Sequence, residues 1–558
     1  MTIALVMIVR DEEDNLAACL ESVRGAVDEI VIVDTGSTDR TVETAGRYTG
    51  RVYRFPWRDD FAAARNYAIG KAASEWILSL DADERLDPST GDLKSLVGNA
   101  GPKEAFLLPL YSHTACSDYT SFPVLRLFRN NGAYLYRGRI HEQVIIDRSE
   151  AVAIAEGPVI RHRASPGRER NRKRGRNLAL LRQARAADPS NPFLAYYLGV
   201  EWLGLDRAEK ALPYFEEACG QLSDAHILFR APAVRNLLTC LRVLGEIQEA
   251  IRVCLAESLR YPFYADLFYD GGTLFEKQGD WGTAARWFAA ALDCGRPPAL
   301  FPHQNGTSGF LALWHLGHCY EKLGRMEEAK KCYEQAAGPD SAWPLADLLG
   351  LLLAREGPRS AFACVRGKFV TPGATSVAAD SFFAAGEAGL ALACLEEAPD
   401  LSDPGLLRRL FRYRVYGGRP LDSLALLPRI ADPDLVPDEV VALILLEDYA
   451  AAKARVLALW RHRRGEARAL LNLVSLCRDG SPCGRPGKMD LKAAVATLLA
   501  VLENCSRAGY GRLAEKAAAI LRLTPEGCLA YAAHLRSESL ATRLTLERKY
   551  GAAQGLLP

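Results

Sequence analysis

An α/β domain built on a mainly parallel sheet, followed by a long all-α repeat region, is the fold class that the sequence predicts. Three observations carry it. The first 110 residues alternate short, β-branched apolar runs with amphipathic segments. Nearly continuous apolar strands of this kind belong to parallel sheets covered on both faces. After about residue 175 the strand signals almost vanish and Ala/Leu-rich helical periodicity takes over. Within that region, four segments share one turn-then-alanine pattern.

Along the N-terminal domain, strands are expected over residues 3–9, 29–33, 51–55 and 76–80, with helices over 16–23, 41–47 and 61–73. Asn15 and Asp60 stand where helix caps belong. Asp34 and Asp81 directly follow the second and fourth strands. In such sheets ligands bind beyond the carboxyl ends of the strands, so both carboxylates fall on the binding edge. Short β-like pieces at 105–111, 124–128, 134–137 and 159–162, separated by polar loops, predict a mixed extension of the same sheet.

The repeats are read from Ala211, Ala250, Ala284 and Ala329, which are 39, 34 and 45 residues apart. Thirty-four residues is the tetratricopeptide period, and the longer gaps imply loop insertions such as the Pro/Gly-rich stretch 295–309. An aromatic follows each alanine (Tyr214-Phe215, Trp287-Phe288, Tyr333) except in the second repeat. The small residue lets helices approach and the aromatic fills the space between them. The resulting organisation is 1–175 for the α/β domain, 176–345 for tetratricopeptide-like repeats, and 346–558 for a further helical region of degenerate repeats.

Bulk composition excludes several classes. Lys+Arg number 69 against 68 Asp+Glu, so there is no basic excess of the kind nucleic-acid binders carry. No stretch approaches the roughly 18 to 20 apolar residues that span a bilayer. Residues 1–9 are apolar but lack a basic leader and meet Arg10-Asp11-Glu12-Glu13 at once, which reads as a buried strand; a cytoplasmic location is expected. The 14 cysteines are scattered without a CxxC pair, as buried free thiols are. Cys477 and Cys483 flank a Gly/Pro loop, where pairing or metal binding is the less favoured reading.

Chemistry concentrates in three places. Leu80-Asp-Ala-Asp-Glu84 puts two carboxylates one residue apart after an apolar strand, a pattern suited to a hard divalent cation that also holds phosphate oxygens, though acidic turns are common in any protein. Asp34 opens Asp34-Thr-Gly-Ser-Thr-Asp39, where a carboxylate suits a ribose or base N–H, or serves only the turn; Ser37 and Asp39 have that second role open too. Arg65 lies on a largely apolar helix face and needs an anionic partner there.

Taken in order, Val6-Met-Ile-Val-Arg-Asp-Glu-Glu13, Val31-Ile-Val-Asp-Thr-Gly-Ser-Thr-Asp39, Phe55-Pro-Trp-Arg-Asp-Asp-Phe-Ala-Ala-Ala-Arg-Asn66 and Trp76-Ile-Leu-Ser-Leu-Asp-Ala-Asp-Glu84 resemble the successive motifs of family 2 glycosyltransferases with the GT-A fold. The likeness is to the bacterial subgroup with C-terminal tetratricopeptide repeats, which includes sublancin-type S-glycosyltransferases. It covers residues 1–180 closely and the repeats loosely. The resemblance implies that Ile8, Arg10 and Glu12 line the nucleotide pocket, Asp34 binds base or ribose, Arg65 binds the nucleotide, Asp81 contacts ribose or metal, and Asp83 holds the metal. Arg-Asp-Glu stands where the subgroup often has Lys-Asn-Glu, which leaves Asp11 without a firm role.

Arg139-Ile-His-Glu142 resembles the subgroup's His-Glu pair. Inverting transfer needs a base for the acceptor proton, and Glu142 is the candidate, with Asp118 the other carboxylate in view. Against this stands a structural carboxylate paired with Arg137 or Arg139. His162 matches a distal metal-ligating histidine, or is a surface histidine in a basic loop; an imidazole beside a carboxylate favours Mn²⁺ over Mg²⁺. The run 161–176 holds eight Lys/Arg and one acid, and reads as a solvated linker helix, a diphosphate contact or an attraction for an acidic acceptor.

The expectation is therefore a metal-dependent, inverting glycosyltransferase that uses a nucleotide sugar, UDP-linked, with Mn²⁺ or Mg²⁺. Its repeats would recognise a peptide, protein or glycan acceptor, or a partner. They would take no part in the chemistry, so that a chain ending near residue 180 keeps nucleotide binding. The competing reading is a tetratricopeptide scaffold with a vestigial transferase domain. A sugar nucleotidyltransferase is disfavoured, because residues 10–15 lack the glycines of its phosphate loop.

Overall fold

The structure is a computed structural model that describes residues 1–113, 119–146, 148–163, 167–338, 344–368, 370–398, 400–430, 432–483, 491–524 and 526–534. Asp118, the second candidate base, lies outside the described residues. The chain divides into two compact units, Met1–Arg325 and Met326–Pro558.

The first unit opens with β1 (Ile3–Val9), α1 (Leu16–Ser22), β2 (Glu29–Asp34), α2 (Thr41–Gly46), β3 (Val52–Arg54), α3 (Phe61–Ile69) and β4 (Trp76–Ser79). These strands are parallel, in the order β3-β2-β1-β4. Both faces of β1 are buried, and its period-2 geometry sorts them. Ile3, Leu5, Met7 and Val9 pack with Leu16, Leu20, Trp76 and Leu78 on one side. Ala4 and Val6 pack with Val31, Val33, Ala62, Ile69 and Ile77 on the other.

The sheet continues through β5 (Glu84–Asp87), which precedes α4 (Leu93–Gly98), and then β6 (Ala105–His113) and β7 (Tyr119–Arg129). A small ribbon of β8 (Tyr136–Arg137) and β9 (Gln143–Val144) follows, then β10 (Val152–Ile154) and β11 (Val159–Arg163). Beyond β4 the order is β7-β6-β11-β5, with β7 antiparallel to both β4 and β6, and β11 parallel to β6. The mixed extension is the one expected, but β5 is not. The acidic turn at 81–84 runs straight into a strand that pairs antiparallel with β11, so that Glu84 faces His162 in register. Asp60 caps α3 by accepting from the Ala63 N–H at 2.9 Å. Asn15 does not cap α1: its amide donates to Glu12 instead, because its backbone already has helical angles.

Helices then succeed one another: α5 (Gly167–Ala187), α6 (Pro192–Leu203), α7 (Ala208–Gln221), α8 (Ile227–Leu244), α9 (Ile247–Arg260), α10 (Ala265–Gln278) and α11 (Trp281–Cys294), with α12 (Phe310–Lys322) closing the unit. Ala211, Ala250 and Ala284 are fully buried. Four residues on from each stand Phe215, Cys254 and Phe288. Glycines on the preceding helix receive the two phenylalanines: a Cβ on Gly199 would lie 2.8 Å from the Phe215 ring, and one on Gly272 2.5 Å from that of Phe288. In the second repeat Leu238 stands at the glycine position and packs in one core with Cys254. A larger residue on one helix answers a smaller one on the other, which is why the aromatic is missing there. The insertion at 295–309 is more than a loop. It contains β12 (His303–Gln304), which pairs antiparallel with Thr120 and Ser121 of β7.

The second unit is a succession of helices, from Met326–Ala336 to Gly511–Leu521. Among the described residues no helix is long and apolar enough to cross a membrane. Cys477 and Cys483 are free thiols.

Candidate active site

The carboxyl ends of β1 and β2 carry two loops that hold each other. Asp11 accepts from the Thr38 N–H at 2.8 Å, while its own N–H donates to Ser37. The Glu12 N–H donates to the Thr41 hydroxyl, and the Glu13 N–H to Asp39. Asp39 and Ser37 are thus turn residues. Asp34 ends β2 almost fully buried, and its carboxylate accepts the Gly36 and Ser37 N–H groups at 3.2 and 3.0 Å. Gly36 permits that turn with a φ of 109°. Glu12 turns toward Asn15 and lies 3.7 Å from Lys173 of α5. Arg10 is half exposed, and Ile8 packs on the face of the sheet that α3 covers.

Arg65 is the hub. Its position on the buried face of α3 sends the guanidinium under the end of β4, with only 9% of the side chain exposed. One nitrogen meets Asp81 at 2.6 Å, Nε donates to Glu142, and a third lies 3.4 Å from Ser79 Oγ. The next residue clamps the loop that carries Glu142: Asn66 exchanges two 2.9 Å hydrogen bonds with the backbone of Tyr136. Phe61 N–H donates to the Arg139 carbonyl, and the Arg139 side chain donates to the carbonyls of Arg58 and Asp59. Glu142 does pair with an arginine, but with Arg65, 77 residues away in sequence, and not with Arg137 or Arg139.

Two residues that the motifs did not single out complete this network. Arg126, the one charge in the apolar run 124–128, donates to Asp81 at 2.9 Å and to Glu84 at 2.6 Å. Glu84 is 98% buried and also accepts the Asp81 N–H. An arginine inside the otherwise apolar run 124–128 was the available signal. Burial alone would raise the pKa of Asp81, but Arg65 and Arg126 outweigh it and hold the carboxylate well below its ordinary range. Burial pushes Glu84 the other way, and the nearby Asp81 charge adds to it against the pull of Arg126.

Asp83 stands apart from that network. Its carboxylate lies 3.5 Å from His162 Nε2, and Ser112 Oγ is 3.1 Å from the other ring nitrogen. The hydrogen bond to Asp83 raises the histidine's pKa against the effect of burial. The pair faces outward enough to be reached, with 19% and 32% of the side chains exposed. It supplies one carboxylate and one imidazole donor. Among the described residues no third His, Cys, Asp or Glu converges on a metal position.

Arg65 is therefore in direct contact with both Asp81 and Glu142, and Asp83 joins His162. Asp34, Glu12 and Arg10 lie on the loops of the neighbouring strand ends.

Residues 4–146 match the model of glycosyl transferase family 2, and residues 311–338 match a tetratricopeptide repeat. A TPR repeat-containing protein of Synechococcus elongatus is 35% identical over 209 residues, 35% of this chain and 51% of that protein. The SPbeta prophage-derived glycosyltransferase SunS of Bacillus subtilis is 28% identical over 225 residues, 39% of this chain and 53% of that one. A lipopolysaccharide core biosynthesis glycosyltransferase of Rhizobium meliloti is 29% identical over 158 residues, 26% of this chain and 57% of that protein. The chain spans about half the length of the curated relatives it matches. The N-terminal part of this chain is a family 2 glycosyltransferase domain, and the same chain carries tetratricopeptide repeats.

Proposed function

We propose that the protein is a metal-dependent inverting glycosyltransferase, moving a sugar from a UDP-linked donor to a peptide, protein or glycan acceptor. The observation that carries this reading is the strand-end constellation: Arg65 bridging Asp81 and Glu142, with Asp83 and His162 beside it. Asp34 would take the base or ribose, the 10–12 loop would line the nucleotide, and Asp81 would meet the ribose. A divalent ion, Mn²⁺ or Mg²⁺, fits the carboxylate-imidazole pair Asp83 and His162 and would supply charge neutralisation for the departing diphosphate. Glu142 would take the acceptor proton as the acceptor atom attacks the anomeric carbon and the nucleotide diphosphate leaves from the opposite face, inverting the configuration.

A second reading of Glu142 is favoured by its contact with Arg65: a carboxylate that only fixes that guanidinium. The two readings separate by experiment. Glu142→Gln keeps an acceptor for Arg65 but loses the base, so under the first reading turnover falls while UDP binding with Mn²⁺ stays. The test of the whole proposal is release of UDP by the full chain from a set of UDP-hexoses and UDP-N-acetylhexosamines, with and without Mn²⁺. Absence of both turnover and UDP binding would leave a scaffold as the better account. The resemblance of the motifs to the sublancin-type subgroup makes peptides the first acceptors to try, and the repeats are proposed to recognise the acceptor or a partner.

A further inference from the structure

The loop that carries Glu142 is held from two sides. Its inner side is clamped by α3, as described above. Its outer side rests on the first two helices after the sheet, beyond the segment that matches the transferase family. Ile140 is buried among Leu178 and Leu181 of α5 and Leu198 of α6. The His141 ring stacks on that of Tyr197, with centroids 3.9 Å apart and planes 2° apart. Gln143 donates to the Tyr197 hydroxyl at 3.2 Å. Glu201, one turn further along α6 and 97% buried, lies 3.4 Å from His141 Nε2 and accepts from Arg174 at 2.9 Å and Asn177 at 2.7 Å.

Residues on both sides of Glu142 are therefore anchored to α6, and His141 holds a left-handed φ of 49°. A histidine pays backbone strain for that conformation, and it persists only where its surroundings fix it. The stack and the Glu201 contact are what fix it here. With His141 in that conformation the chain turns sharply, and Glu142 points back to Arg65 instead of following Ile140 toward α5 and α6.

We infer that Tyr197 and Glu201 of α6 are positioning residues for Glu142, so that the first helices of the repeat region are part of the catalytic unit. This rests on the reading of Glu142 as the base. It runs against the expectation that the repeats stand outside the chemistry: a chain cut near residue 180 would sever α5 and remove Tyr197 and Glu201 altogether.

The test is a double-mutant cycle in the full chain, with UDP release from the mixed UDP-sugars as turnover and calorimetric UDP binding with Mn²⁺ as the check on the nucleotide site. Tyr197→Ala is expected to lower kcat about 10- to 100-fold, the scale of a misplacement near 1 Å, with KM and UDP affinity unchanged. Tyr197→Phe, which keeps the stacked ring, should recover most of the activity. In the Glu142→Gln background Tyr197→Ala should cost nothing further. Glu201→Gln should behave like Tyr197→Ala, more weakly. Hydrogen exchange in residues 138–143 should rise in Tyr197→Ala while 3–9 and 29–34 stay protected. If Tyr197→Ala lowers kcat equally in both backgrounds, or leaves it unchanged, the positioning role is overturned and the base reading survives. If Glu142→Gln itself has no effect on kcat, or the wild type releases no UDP, the base reading falls and takes this inference with it.

Discussion

Two of the buried ion networks in the first unit look alike in charge and differ in place. At the strand ends, Arg65 and Arg126 bind Asp81, Glu142 and Glu84. In the repeats, Arg235 binds Asp266 and Asp270, and Asp266 also accepts from His303 and the Gln304 N–H. Both networks hold one carboxyl group low and push another up: Asp81 against Glu84, and Asp266 against Asp270. Perturbed titration therefore does not distinguish them. Exposure and location do. The Asp266 side chain is fully buried, and its bonds tie α8, α10 and β12 together. The Asp81 side chain is 35% exposed, and it sits where a parallel sheet presents its carboxyl ends. One network reads as a latch and the other as the candidate site.

Asp83→Asn is the most damaging way to probe that contrast. It should leave the melting temperature near that of the wild type and remove several kcal/mol of transition-state stabilisation, on the order of 10³-fold in UDP release. Near-normal turnover of this variant, or of the wild type in EDTA, would sink the metal assignment. Glu142→Gln should lower kcat by about 10²- to 10⁴-fold and weaken UDP binding little; equal losses in both would move Glu142 from base to structural ion pair.

Arg235→Ala should invert the pattern. It leaves Asp266 buried without its cation, a change that typically costs about 3–5 kcal/mol, while UDP release per folded molecule stays near wild type below the melting transition. Unchanged stability would show that the two networks are not divided as argued.

The smallest effect concerns Glu276, which His315 and His318 hold at about 2 despite its partial burial. A carboxyl group whose folded pKa is depressed stabilises the fold above its ordinary value of 4.5 and ceases to as pH falls toward about 2. The melting difference between wild type and Glu276→Gln should correspond to at most about 3 kcal/mol at pH 6 and should narrow steadily below pH 4.5. A gap that is constant from pH 6 to pH 3 would contradict the ion pairing.

How much of this was legible in the sequence depends on the range of the interaction involved. The strand-helix alternation, the strand-end carboxylates, the Asp60 cap and the alanine spacing are set by neighbours a few residues apart, through side-chain periodicity and local hydrogen bonding. So they were readable, as was the need of Arg65 for an anion, because a buried guanidinium cannot go unpaired. Which anion it met was decided only in three dimensions. Glu142 is 77 residues from Arg65, and Arg126 is 45 from Asp81. Nothing local marks such a pair. The same holds for β12 reaching β7 from the repeats, and for His141 laid on Tyr197, 56 residues on. The sequence by itself determined the elements and the chemical types at their ends. Tertiary structure decided the partners, because a buried charge is neutralised by whichever opposite charge the packing of distant elements brings within hydrogen-bonding reach.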